Sequence, residues 1–204
     1  MASSGIKLTS GWKKLTKAID PTAFTARGRV ALRKGNGIAG LFAVRAIRKE
    51  IRSGAFPGNA PLTVSLKGSS KPLVDTGNLF KAVTHQMIDD YTVWVGVLFT
   101  SGSYNLALTL HEGITIKVTE RMRHLFELLF RASQGKMNPG SLTGRAAELW
   151  ARSKRKEFFP LKPSTSQIVI PSRPFIKRAI ESEELHRQVQ NVWQAAIAAA
   201  MGIK

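Results

Sequence analysis

The chain has 204 residues, with 31 Lys and Arg against 13 Asp and Glu, a formal net charge of +18 and 43% hydrophobic residues. This length and hydrophobic share indicate one folded domain, or one domain with an insertion, and exclude a wholly disordered chain. The absence of cysteine excludes disulfide frameworks, thiolate catalysis and cysteine-ligated zinc. No run of 18 apolar residues and no apolar stretch near residue 1 is present, so neither a membrane span nor a secretion signal is predicted.

The positive charge is unevenly distributed. Residues 1–60 have a net charge of +10 and residues 61–118 are neutral, whereas residues 119–160 and 161–204 have net charges of +5 and +3. This pattern predicts particular faces that meet a polyanion, with nucleic acid as the first candidate. The alternative is a solvated basic face that is balanced by an acidic partner protein. The residues expected to face DNA are Lys13, Lys14, Lys17, Arg27, Arg29, Arg33 and Lys34.

Two helices are predicted in the first quarter of the chain. The first is a short amphipathic helix with apolar residues at helical spacing, Leu8, Trp12, Leu15 and Ile19. The second is longer, covers residues 37–52 and ends at Gly54. Gly35, Gly37 and Gly40 form a GxGxxG pattern before it. A dinucleotide loop also needs a preceding strand and a following acidic residue, and both are missing, so the glycines are interpreted as a flexible lead-in to the helix.

Short strands are predicted in the middle and the last quarter of the chain. Apolar or β-branched runs place them at 82–86, 92–99, 114–119 and 167–170. Asp89 and Asp90 form the turn between the first two. Before them, residues 75–78 form a turn that begins a short helix through Lys81. Residues 104–112 fit both helix and strand, with helix favoured.

Helical spacing returns in the second half of the chain. It predicts helices over 120–132 and 146–158, the second of which is stopped by prolines. Leu128, Phe130 and Trp150 exceed what one core-facing stripe needs. Residues 119–160 are therefore expected to form a helical protrusion that makes contacts between subunits. A variant without residues 123–156 should then still fold as a monomer but assemble poorly.

A rigid corner is predicted at residues 171–175, because its two prolines fix φ and lack backbone donors. Phe175 should be buried at the base of the C-terminal helix. Arg173 should donate to local carbonyls or to a carboxylate, with Asp75 and Glu112 as candidates. The alternative is that Arg173 contacts a DNA phosphate.

These elements predict an α+β fold, in which a small antiparallel sheet of the four strands is packed by helix 37–52 and a C-terminal helix. Four segments are distinguished. They are a basic N-terminal helical arm (1–36), an α+β core (37–118), a helical insertion (119–160), and a final strand and C-terminal helix that complete the core (161–204).

No pattern in the sequence predicts catalysis. His111 and Glu112 lack the second histidine of a zinc peptidase, and Gly135-Lys136 is followed by Met137 where a phosphate-binding loop needs Ser or Thr. The acidic residues are not spaced to converge on a metal ion. We expect no enzymatic activity, no metal and no cofactor.

Five short motifs occur in a specific order. They are Ile51–Gly54 with Pro57, Pro72–Leu79, Val93–Gly96, Leu110–Gly113 and Ile170–Ile176. The ordered set spans about residues 38–200. It resembles the tail-completion, or virion-morphogenesis, proteins of Mu-like tailed bacteriophages. Residues 119–160 depart from the compact pattern of that family, and the resemblance implies a neighbouring ring as the other partner for the protrusion they are expected to form.

The resemblance implies a non-enzymatic structural protein of the virion neck, assembled in the cytoplasm of the host bacterium. Such a protein forms a homo-oligomeric ring around passing DNA, which it contacts without sequence preference. Its neighbours are head-connector or portal-side proteins and tail-tube or tail-terminator proteins. The motif residues to which the resemblance gives a structural role are Asp75, Thr76, Gly77, Leu79, His111, Glu112, Gly113, Pro171, Arg173, Pro174 and Phe175. The alternative is a stand-alone basic nucleic-acid-binding protein, associated with the ribosome or the nucleoid.

Overall fold

A computed structural model of the chain describes residues 26–98 and 105–200. Over these residues the fold is α+β, as predicted. The helices are α1 (Ala26–Ser53), α2 (Pro61–Lys67), α3 (Asn78–Lys81), α4 (Leu106–Glu112), α5 (Glu120–Ser133), α6 (Gly144–Arg152), α7 (Phe175–Ile180) and α8 (Glu183–Ala200). The strands are β1 (Val83–Met87), β2 (Val93–Val97), β3 (Ile114–Lys117) and β4 (Gln167–Ile170). The predicted helix with Leu8, Trp12, Leu15 and Ile19 lies outside the described residues.

The chain forms two compact units, and neither is a contiguous segment. Over the described residues, the first unit comprises 26–53, 78–98 and 174–200, and the second comprises 54–77 and 105–173. This differs from the four predicted segments, 1–36, 37–118, 119–160 and 161–204. In particular, β4 belongs to the second unit and does not complete a core that begins at residue 37.

The first unit is built around α1. This helix packs along α8 and α7 and against the β1–β2 hairpin. Leu32, Ile47 and Ile51 form its buried stripe, and Phe175 and Trp193 are buried residues of α7 and α8. The long helix therefore packs against α7, α8 and both strands of the hairpin.

The long helix begins at Ala26 and not at residue 37 as predicted. Glycines lower helix propensity by about 1 kcal/mol each, which is why the sequence favoured the later start. Tertiary packing overrides that preference. A Cβ on Gly40 would lie 2.7 Å from His85 Cδ2, and one on Gly35 would lie 3.1 Å from the Ala196 Cβ. These two glycines allow close approach of β1 and α8 to the helix, so the interpretation as a flexible lead-in is wrong.

All four predicted strands are present, but they pair in two separate antiparallel sheets and not in one sheet of four. The β1–β2 hairpin pairs Val83 with Val97, around the predicted Asp89-Asp90 turn. In the second unit β3 pairs with β4, so that Lys117 lies opposite Gln167. The helix interpretation of residues 104–112 is confirmed for Leu106–Glu112.

The second unit has its own apolar core, and residues 119–160 supply it. The buried members are Phe126, Leu129, Ala132, Leu142, Ala146 and Phe158. Leu62 and Leu66 of α2 pack against this cluster, and Trp150 stacks on Phe158 with ring centroids 5.7 Å apart. The segment predicted as a protrusion thus forms a core of its own with α2 and β4. Of the apolar residues beyond one stripe, Leu128 and Trp150 pack against this core.

Helix α6 ends at Arg152, six residues before its predicted end at 158. The buried Ser153 accounts for the early end, because its hydroxyl donates to the carbonyl of the equally buried Ser65 at 3.2 Å. The backbone N–H groups of Lys154 and Arg155 donate to the same carbonyl, at 3.2 and 3.3 Å. These bonds turn the chain out of the helix and bring Phe158 into the core.

Candidate nucleic-acid interface

The long helix α1 is strongly basic. Its 28 residues include eight Lys or Arg and one acid, Glu50. At 1.5 Å per residue it is roughly 42 Å long. Lys34, Arg45 and Arg52 are separated by 11 and 7 residues, close to whole numbers of helical turns, and all three are exposed. They therefore share one side of the helix, opposite the buried stripe.

The three side chains are not neutralised within the described part of the chain. Two other cations of α1 do form ion pairs, Arg33 with Asp90 at 3.3 Å and Lys49 with Glu184 at 2.7 Å. Among the described residues, no carboxylate lies within 4.0 Å of the three cations that share one side of the helix. We call these three residues, together with the half-buried Arg48 that lies between Arg45 and Arg52, the basic face.

Aromatic rings hold the arginines of the basic face. Arg52 lies 4.0 Å and Arg48 lies 5.1 Å from the centre of the Phe80 ring, and Arg45 lies 5.8 Å from the centre of the Phe42 ring. Arg48 Nη2 also donates to the Val83 carbonyl at 3.1 Å. A ring positions a guanidinium through cation–π attraction without cancelling its charge. The arginines are therefore ordered and still able to bind an anion.

The C-terminal end of the basic face borders an open groove of about 620 Å³ in the first unit. Its lining residues are Arg45, Arg48, Lys49, Arg52, Ser53 and Phe80. Cations in the last turns of α1 also complement the partial negative charge at that end of the helix.

The predicted DNA-facing residues are only partly covered by the structure. Lys13, Lys14 and Lys17 lie outside the described residues, and for Arg27 only the backbone is described, as part of α1. Arg29, Arg33 and Lys34 are exposed on α1, although Arg33 is ion-paired. The sequence reasoning missed Arg45, Arg48 and Arg52. The signal was present, because these residues recur at three- and four-residue spacing inside a segment predicted to be helical.

Arg173 is in a different environment from the basic face. It is buried, and its guanidinium donates to the Pro57 carbonyl from Nη2 at 3.2 Å and from Nε at 3.4 Å. The acceptors are carbonyls, as predicted, but they are not local. Neither Asp75 nor Glu112 lies within 4.0 Å of the guanidinium, unlike the predicted carboxylate pairing. Burial lowers the pKa of Arg173. This geometry fits a structural arginine and leaves no exposed guanidinium for a phosphate.

Two of the recurring motifs contact each other beside Arg173. The Arg173 backbone N–H donates to the Leu110 carbonyl at 2.9 Å, and the Ser172 hydroxyl donates to the His111 carbonyl at 2.7 Å. Gly113 has φ +79° and ψ 169°, and a Cβ there would lie 2.7 Å from the Ser172 nitrogen. Only glycine tolerates both that conformation and that approach. Leu110–Gly113, Pro57 and the corner at 171–173 thus form one structural cluster.

The remaining motif residues also have structural environments. Gly77 has φ +81° and ends the turn before α3, in which Leu79 is buried. Asp75, Thr76 and Glu112 are exposed, whereas His111, Pro171 and Pro174 are half-buried. Phe175 begins α7 and is fully buried, which confirms its predicted burial. The predicted C-terminal helix is divided, because Ser182 separates α7 from α8 and its hydroxyl accepts from the Leu185 N–H.

The described residues contain neither a metal-binding cluster nor a membrane-spanning helix. Within residues 26–98 and 105–200, no three His, Asp or Glu side chains lie close enough together to hold a metal ion. None of the helices described there is both long and apolar enough to cross a membrane.

Comparison with known proteins found no matching family model, no matching curated protein and no matching solved structure. The chemistry that this surface offers is anion binding through un-neutralised arginine and lysine side chains.

Proposed function

We propose that the chain is a structural neck protein of a tailed bacteriophage, which forms a ring between the head connector and the tail. In this proposal the basic face of α1 contacts the DNA that passes through the ring. The observation that carries the DNA contact is the row of exposed, un-neutralised cations Lys34, Arg45 and Arg52 on one side of a single helix. The neck role is supported by the ordered motifs, of which three form the structural cluster around Arg173.

Such a contact would not depend on DNA sequence. Duplex DNA has one phosphate charge per roughly 1.7 Å of its axis, and each phosphate neutralised by a cation releases condensed counterions. The row on α1 offers charges but no hydrogen-bonding pattern matched to base edges. In a ring, every copy would present the same row to the channel, so the weak contacts of each copy would add up.

The DNA contact is tested by fluorescence anisotropy with 20-bp duplexes of unrelated sequence over a series of salt concentrations. The variant Lys34→Gln, Arg45→Gln, Arg52→Gln should bind all duplexes more weakly, and the slope of log affinity against log salt should fall by about 0.9 for each phosphate that is no longer neutralised. The matched control removes three exposed cations of the second unit, Arg121→Gln, Arg131→Gln, Lys136→Gln. Equal slopes for the two triple variants would contradict a specific role of the basic face.

The ring is tested separately, by native mass spectrometry of the purified chain alone and with the portal and tail-tube proteins of a phage that encodes it. We expect a closed oligomer or a complex with one of these proteins.

A second candidate function is a stand-alone nucleic-acid-binding protein. It is favoured by exposed cations outside α1, such as Lys154 and Arg155. A monomer that binds RNA tightly and ignores the phage proteins would support that candidate and overturn the neck role.

A further inference from the structure

The groove at the C-terminal end of the basic face has the composition of a protein-binding site. Arg45, Arg48 and Arg52 lie at positions i, i+3 and i+7 of α1, which span roughly 10 Å along the helix axis. Lys49 is the one lysine among the lining residues, and it is already paired with Glu184 at 2.7 Å. Arginine and aromatic residues are enriched at protein interfaces, whereas lysine is depleted there. The available cations of this groove are therefore the type that interfaces favour.

The arginines are positioned and have free donors. Phe80 holds Arg48 and Arg52, and the guanidinium groups of Arg45 and Arg52 make no hydrogen bond with a described residue. A planar guanidinium binds a carboxylate through two parallel N–H···O bonds. Since the rings already restrict the side chains, less conformational entropy is lost when such a pair forms. The groove is prepared for two or three carboxylates spaced along about 10 Å, a spacing that an acidic peptide can match.

The lining also has an apolar part, formed by the Phe80 ring and the aliphatic stems of the arginines. The backbone of duplex DNA offers phosphates and deoxyribose rings, but no flexible apolar side chain to place against Phe80, since its bases are stacked inside the helix. A peptide carries carboxylates and apolar side chains together. We infer that this groove docks an acidic peptide segment of a partner protein, with carboxylates on Arg45 and Arg52 and an apolar side chain against Phe80. The inference concerns a protein partner, and such a peptide would compete with DNA for Arg45 and Arg52, the two arginines that both proposals use.

The probe is a fluorescein-labelled peptide with six glutamates and two leucines, and its binding to the full chain is measured by anisotropy in 150 mM salt. We expect saturable binding. The variant Arg45→Lys, Arg52→Lys keeps the net charge but loses the bidentate geometry, so its affinity for the peptide should fall by about tenfold or more. The matched control, Arg121→Lys, Arg131→Lys, makes the same change at two exposed arginines of the second unit and should bind as the wild type does.

Two further measurements decide the class of ligand. A glutamate peptide without leucine should bind more weakly than the probe, and equal binding would overturn the apolar contact. In the Arg45→Lys, Arg52→Lys variant the salt slope of binding to a 20-bp duplex should not change, because counterion release depends on charge, and the affinity for the duplex should fall by much less than the affinity for the peptide. A parallel loss of peptide and duplex binding would identify the groove as a phosphate site and overturn the inference. The Lys34→Gln single variant, which lies outside the groove, tests the DNA contact by itself.

Discussion

At the scale of single residues, Arg173 has the most unusual environment. A charged guanidinium that leaves water must be hydrogen-bonded, and here the carbonyls of Pro57 and Gly58 accept its protons. Those carbonyls in turn have the guanidinium as their partner. The side chain therefore fixes the segment after α1 against the corner that precedes α7.

Arg173→Ala should lower the free energy of unfolding by about 1.5–3 kcal/mol, because it removes the hydrogen bonds between a buried charged group and the carbonyls of Pro57 and Gly58. The salt slope of duplex binding should not change, since the guanidinium is buried. Urea unfolding and anisotropy measure the two effects. Arg121→Ala, at an exposed position, should change stability by less than about 0.5 kcal/mol. A lower slope with unaltered stability would instead make Arg173 a phosphate contact.

At the scale of elements, α1 owes its position to glycines that its neighbours touch. Gly40 faces His85 and Val93, and a Cβ there would lie 2.9 Å from Val93 Cγ2. Gly37 is only three residues away in the same helix, yet a Cβ there would meet nothing within 4 Å. Substitutions at these two positions therefore distinguish the effect of helix propensity on the free energy of unfolding from the effect of packing.

Gly37→Ala should raise the free energy of unfolding by up to about 1 kcal/mol, because alanine favours the helix. Gly40→Ala has the same propensity gain, but overpacking against β1 and β2 costs about 1–3 kcal/mol, so the net effect should be destabilising. Urea unfolding of both variants measures the difference. If the two substitutions stabilised the protein equally, the close approach of the hairpin to α1 would be refuted.

The stability that the Lys49–Glu184 ion pair between α1 and α8 contributes should depend on pH. The hydrogen bond from Lys49, followed by its positive charge, lowers the pKa of Glu184, and the same two effects raise the pKa of Lys49. The folded state thus binds a proton at Glu184 less readily than the unfolded chain does. The contribution of this ion pair to stability is complete above the pKa of glutamate in the unfolded chain, about 4.3. It is lost as the pH falls through the lowered pKa of Glu184 in the folded state.

Glu184→Gln should therefore lower the melting temperature at pH 7 by a small amount, and the difference from the wild type should shrink below about pH 4. Thermal unfolding from pH 3 to pH 8 measures it. Glu183→Gln, in the same first turn of α8 and with no ion pair among the described residues, is the matched control. If the melting temperatures of Glu184→Gln and the wild type differed by the same amount at pH 3 and pH 7, the ion pair would not contribute as proposed.

Local patterns predicted most elements but not their partners. The period-two alternation of Ile114 and Ile116 predicted β3, and the spacing of Met122, Leu125, Phe126 and Leu129 predicted α5. The pairing of β3 with β4 joins residues fifty positions apart, Lys117 and Gln167, and no local signal encodes it. The end of α6 depends on Ser65, which is also distant in sequence. The basic face could have been predicted in full, had the helix been extended through its glycines.

At the scale of the whole molecule, the chain passes between the two units at 53–54, 77–78, 104–105 and 173–174. Three of these four crossings fall inside the ordered motifs, at Ser53-Gly54, Gly77-Asn78 and Arg173-Pro174. Gly54 and Gly77 have φ +71° and +81°, and Pro174 has a fixed φ. The motifs therefore mark the positions where the backbone leaves one core for the other.

Deletion of residues 123–156 removes Phe126, Leu129, Leu142 and Ala146 from the core of the second unit. The truncated chain should lose that core, because buried apolar area is the main stabilising contribution in a unit of this size. Hydrogen exchange should then show unprotected amides in α2 and in the β3–β4 pair. Native-like protection in those elements would show that the segment is a protrusion after all.

The segments of the first unit lie far apart in the sequence, which has a consequence during translation. The ribosome completes α1 at Ser53 and begins α8 at Glu183, which is 130 residues later. At 5–20 residues per second this interval lasts about 7–26 s. During that time the nascent helix has its apolar stripe, with Leu32, Ile47 and Ile51, without the partner that covers it in the finished protein. We expect its eight positive charges to oppose close contact with the same helix of another nascent chain, so that the residues that make α1 a candidate for DNA contact would also limit self-association before α8 is made.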